Sequence, residues 1–83
     1  MKYKKIFDEV SLLIKNDNYL SSLFVKNYNR YYESVVTFEN NFLKYKNEIK
    51  ILDFGCGNPF HIFIFSKLGY YIIGYEPFQN DKN

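Results

Sequence analysis

Residues 51–63 read ILDFGCGNPFHIF, and the fold turns on how that stretch is understood. An apolar run ends in an acid, Asp53, then come two glycines one residue apart and an Asn-Pro step. The run from Ile49 to Phe54 is short, β-compatible and bounded by glycine, which predicts a strand. A strand that feeds at once into a helix needs a sharp turn, and Gly55 and Gly57 can take backbone conformations that a β-carbon forbids. Asn58 precedes a proline and is therefore biased to the extended geometry of an N-cap. Pro59 suits the first helical position, where its missing N–H costs least. The spacing predicts a helix over 59–68, ending before Gly69, a residue suited to the left-handed position just past a helix C-terminus.

Outward from this turn, residues 70–75, YYIIGY, read as a second strand. Fifteen residues, 55–69, separate the two strands, enough for the crossover of about a dozen that a parallel pair requires. The last third of the chain is therefore expected to form one β-α-β unit, right-handed by the usual rule. Upstream, Ile6, Phe7, Val10, Leu13 and Ile14 recur at helical spacing. Asn18 is the expected N-cap of a second short helix carrying Tyr19, Leu20, Leu23 and Phe24, with Tyr28 near its end. Tyr31, Val35, Phe38, Phe42 and Tyr45 keep one face of a third helix, with Glu33, Glu39, Lys44 and Lys46 off that line. The expected organisation is a helical N-terminal segment over 1–48, a β-α-β cofactor-binding half-site over 49–78 and a tail over 79–83.

Length and composition bound the function. Eighty-three residues make one domain at most, and a domain this short draws only about 3–5 kcal/mol from its core. A single cysteine excludes an internal disulfide, no second Cys accompanies the lone His61 as a zinc ligand, and a reducing, cytoplasmic setting fits. Asp8 and Glu9 fall where a signal peptide would be apolar. No apolar run approaches the ~18 residues of a membrane span, so a soluble protein is expected. The net charge of +2 is scattered among acids and indicates no nucleic-acid partner. Nine Tyr and nine Phe without a single Trp or Ala give the chain a heavy aromatic load.

Glu76 follows the second strand, twenty-one residues after Gly55. In nucleotide-type sites an acid there accepts hydrogen bonds from the two ribose hydroxyls. Pro77 holds Glu76 extended, which directs its side chain beyond the carboxyl edge of the sheet. The plainer alternative is a solvated strand-end acid. A dinucleotide site needs G-x-G-x-x-G, whose third glycine would fall at Phe60, so that fingerprint fails. A diphosphate also wants free N–H groups at a helix start, and Pro59 removes one. A phosphate-free ligand suffers less. No phosphate-binding G-x-x-x-x-G-K-[ST] loop occurs.

The surviving pattern, LDFGCG followed by GYEPF, resembles the first two motifs of the class I S-adenosylmethionine-dependent methyltransferases over about thirty residues, 49 to 78. The resemblance implies a Rossmann-like sheet and S-adenosyl-L-methionine as cofactor. Its methionine portion would be held by Asp53, Gly55, Cys56 and Gly57, and its ribose by Glu76. Pro59 departs from the family, whose members commonly carry a small residue or glycine there. Other residues draw the eye. Cys56 as a nucleophile would need a base beside it, and packing against the cofactor suits it better. His61 is expected to face solvent or cap the helix, with its pKa lowered by the positive helix end. Tyr28, Tyr31 and Tyr32 are candidates to close over the cofactor, or core residues.

The family's fold has seven strands, and only the first two are readable here. The expected fold class is thus α/β: N-terminal helices followed by a single β-α-β unit of a Rossmann-like methyltransferase fold, truncated. The expected function is the N-terminal cofactor-binding part of a methyltransferase, inactive alone and with an unknown methyl acceptor and catalytic residues. Loss of about three hydrogen bonds at about 1 kcal/mol each would weaken a micromolar site roughly a hundredfold. The unpaired strand edges predict self-association through KILDF, a sheet-completing partner chain, or a partly molten state. Competing readings are a small interaction protein using the β-α-β scaffold and a nonfunctional remnant.

Overall fold

A computed structural model of the chain describes residues 2–77. The expected tail over 79–83, together with Phe78, lies outside the described residues. Three helices come first: α1 (Lys2–Ile14), α2 (Asn18–Lys26) and α3 (Tyr28–Phe42), the last passing into a short 3-10 turn, Leu43–Tyr45. Strand β1 (Lys50–Phe54), helix α4 (Phe60–Lys67) and strand β2 (Tyr71–Tyr75) follow. The strands pair in parallel, with Lys50 opposite Tyr71, Asp53 opposite Gly74 and Phe54 opposite Tyr75. This is a Rossmann-like α/β arrangement, helices followed by one β-α-β unit with an open two-stranded sheet. Among the described residues no helix is long and apolar enough to cross a membrane.

Helix α4, FHIFIFSK, is apolar almost all round, the pattern of a helix covered on more than one side. It packs against both α1 and β2. Phe60 and Ile64 are fully buried and join Phe7, Val10, Phe24, Tyr31 and Val35 of the three preceding helices in one core. Phe24 holds this core together through rings at 5.8 Å from Phe7, 5.8 Å from Tyr31 and 5.0 Å from Phe60, spacings at which aromatic pairs add stability beyond their buried area. The end of α4 is a complete Schellman motif. Gly69 (φ +95°) donates its N–H to the Ser66 carbonyl at 3.0 Å and Tyr70 to the Phe65 carbonyl at 2.9 Å, while the Phe65 and Tyr70 rings meet at 5.6 Å.

Several local expectations shift. The N-cap of α2 is Asp17, not Asn18: Asp17 has extended backbone and its carboxylate accepts the Leu20 N–H at 3.0 Å. The apolar line of α3 stops short: the helix ends at Phe42, the chain tightens into the 3-10 turn, and both Phe42 and Tyr45 are exposed. Leu13 and Tyr19, placed on apolar lines by spacing, are exposed as well. Glu39, placed off the apolar line, is instead 4% exposed. Its carboxylate accepts from Tyr3 at 2.6 Å and Tyr70 at 2.7 Å and pairs with Lys2 at 3.1 Å. One buried acid thereby ties α1 and the start of β2 to α3.

Candidate functional site

The five residues expected to form the site converge where the two strands end. Gly55 and Gly57 both adopt left-handed backbone, φ +68° and +58°, a region in which any residue with a β-carbon is strained. This turn is clamped to β2, since the N–H groups of Gly55 and Cys56 both donate to the Tyr75 carbonyl, at 2.6 and 3.3 Å. Glu76, the next residue along, therefore lies beside the turn. A β-carbon built on Gly57 would stand 3.8 Å from Glu76 Oε2, whereas one built on Gly55 would meet nothing within 4 Å. The carboxylate thus leans over one glycine, and open space lies over the other.

Asp53 sits opposite Gly74 on the half-buried side of the sheet, with Ile51 and Ile72. Its charge reaches His61, on the first turn of α4. Cys56 is half-buried. Its Sγ would come within 3.1 Å of a β-carbon on Gly74, so the thiol packs beneath β2. Gly74 is a site residue that sequence reasoning passed over. A β-carbon there would also collide with Ile62 Cδ1, so its lack of a side chain lets α4 lie close against β2. A glycine inside a strand is the signal that could have found it.

Several donors of the turn are already engaged. Asn58 N–H bonds to the Cys56 carbonyl, and Phe60 N–H bonds to Asn58 Oδ1 at 3.2 Å. Pro59 takes the N-cap place and has no N–H, while its carbonyl receives the first helical bond, from Phe63, at 2.9 Å. The helix therefore begins one residue later than expected, and Asn58 caps it from just outside. With no N–H on Pro59 and the Phe60 N–H bound to Asn58, this helix start offers fewer donors to a phosphate. Carboxylates stand beside the turn instead, so the arrangement suits a ligand that brings donors or positive charge.

His61 does not cap the helix, and it is half-buried rather than fully open to solvent. It lies edge-on to Tyr31 at 5.3 Å, and its Nε2 is 3.0 Å from Ser34 Oγ. Burial holds its pKa below the usual value; Asp53 pulls it up and Arg30 pushes it down. The Ser34–His61 pair borders a groove along α3 whose lining includes Arg30, Glu33, Ser34, Thr37 and Phe38, and no motif in the sequence marked it. Ser34 Oγ has two acceptors within reach, the Tyr31 carbonyl at 3.1 Å and His61 Nε2 at 3.0 Å, and its single proton serves one of them at a time.

Tyr31 is buried, with burial raising its pKa and a side-chain hydrogen bond from Asn58 partly offsetting that. It thereby links α3 to the glycine turn. Tyr28 and Tyr32 pack on Phe7 at 5.0 and 5.5 Å and belong to the core. Among the described residues no cluster of three or more His, Cys, Asp or Glu is placed to hold a metal. Compared with protein-family models, curated proteins and solved structures, the chain finds no match in any of the three.

Proposed function

We propose that the turn between β1 and α4, together with Glu76, is the cofactor half-site of an S-adenosylmethionine-dependent methyltransferase. The observation that carries this reading is the placement of Glu76 Oε2 3.8 Å from the missing β-carbon of Gly57, with open space over Gly55. A carboxylate in that position can accept from both ribose hydroxyls of a nucleoside lying across the two glycines. The missing Pro59 N–H and the engaged Phe60 N–H count against a diphosphate, and S-adenosylmethionine has none. Its ammonium and sulfonium charges match the acceptor-rich surroundings, with Asp53 and the backbone of Gly55, Cys56 and Gly57 facing the methionine end. When bound, the cofactor would supply an electrophilic methyl group. This chain's residues bind and orient it, and the groups that would position a methyl acceptor are not identified among the described residues.

Calorimetric titration of the chain with S-adenosylmethionine tests the reading. Submillimolar binding is expected, weakened about tenfold to a hundredfold by Glu76→Gln, which removes a charged acceptor worth about 1.5–3 kcal/mol. Nicotinamide dinucleotide is expected to bind more weakly than S-adenosylmethionine. Absence of heat at millimolar S-adenosylmethionine, or equal binding by the Glu76→Gln variant, contradicts the proposal.

A further inference from the structure

One face of the sheet packs on α4, and among the described residues the other is bare. It carries three cross-strand pairs: Lys50 with Tyr71, Leu52 with Ile73, and Phe54 with Tyr75. The five apolar members each remain between 49% and 69% exposed. Taking about 200 Å² as the full area of a large side chain, they leave roughly 500–600 Å² of contiguous apolar surface, the top of the range for the largest patch on a monomer. We infer that this face is the interface of a homodimer, in which two copies stack sheet on sheet.

The area and the arrangement of charge both point to a second copy. Face-to-face stacking would bury on the order of 1,000 Å² in total, the threshold that a specific interface has to clear. Among the described residues the only charge on the face is Lys50, whose Nζ already lies over the Tyr71 ring at 5.6 Å. A two-fold axis across the strands, through the Leu52–Ile73 row, sets the Lys50 end of each copy over the Phe54–Tyr75 end of the other. Those two rings lie 5.4 Å apart, tilted at 44° to each other, and are the aromatic partners that the ammonium would meet. The two lysines then stand more than ~13 Å apart, four residues of strand rise, which is beyond the screening length at physiological salt. The surface is therefore complementary to itself, as an isologous contact requires. This inference is independent of whether the glycine turn binds a cofactor.

Sedimentation equilibrium of the full chain at about 100 μM, above the micromolar constants of weak interfaces, is expected to give twice the 10.0 kDa chain mass. Leu52→Lys on β1 and Ile73→Lys on β2 each alter an exposed side chain, so each is expected to halve the mass while leaving the far-ultraviolet circular dichroism unchanged. Pairing through an open strand edge would respond to only one of the two. A 10.0 kDa wild-type monomer would leave the face to a different protein, and a dimer that survives either substitution would place the contact elsewhere; both results overturn the inference.

Discussion

Gly57 and Glu76 stand close together because the Tyr75 carbonyl takes two N–H groups from the turn; without that clamp the acid would be only a strand-end carboxylate. Both residues were singled out as candidates from the sequence. Two glycines after an acid-ended strand, and an acid after the next, have few other uses in one short unit. The clamp itself was not readable, since a backbone carbonyl leaves no mark on residue identity. His61 shows the same limit. Its position on the first turn of α4 was foreseen, but its burial against Tyr31 depends on how α3 crosses α4. A titration of His61 ring resonances is expected to give a midpoint below 6.5, because burial and Arg30 together outweigh Asp53. Its contribution to stability is then present above pH 6.5 and lost as the pH falls through the depressed folded pKa. A midpoint above 6.5 would mean that Asp53 dominates.

At the scale of elements, the helix–turn pattern was legible wherever a period or a punctuating glycine existed. Gly69 marked the end of α4, and the parallel pairing of β1 with β2 followed from the crossover length. Glu39 was misplaced because a charged residue reads as surface until its partners are known, and Tyr3 and Tyr70 lie thirty-six and thirty-one residues away. Burial alone would raise its pKa, but hydrogen bonds from Tyr3 and Tyr70, with Lys2, hold it below the usual carboxylate value. Its stabilisation is present above about pH 4.5 and fades as the pH drops through the folded pKa. Burial and the bond to Glu39 push Tyr3 up to about 12 and Tyr70 higher still. Stability therefore also declines as the pH rises from 10 toward 12. Glu39→Ala, which strands two hydroxyls, is expected to cost about 2–4 kcal/mol in urea unfolding at neutral pH. Glu39→Gln should cost less and flatten the acid limb of the stability profile. An Ala variant as stable as wild type would show the network to be incidental.

The whole molecule is layered unevenly, with α1 to α3 on α4, α4 on the sheet, and nothing among the described residues on the far side of the sheet. The sequence announced the open edges, because two strands cannot complete a sheet. It did not distinguish the edges from the bare face, since alternation along YIIGY and KILDF leaves apolar residues on both sides. The groove of about 340 Å³ between Phe38, Phe42 and residues 49–52 borders β1 and was equally hidden, because it exists only where the end of α3 lies near the strand. The most decisive test remains at the glycine turn. A ¹H–¹⁵N correlation spectrum of the chain should shift, as S-adenosylmethionine is added, at the amides of Gly55, Cys56, Gly57 and Glu76, with α1 unchanged. An unperturbed turn at millimolar ligand, or shifts confined to the α3 grooves, would contradict the proposed half-site.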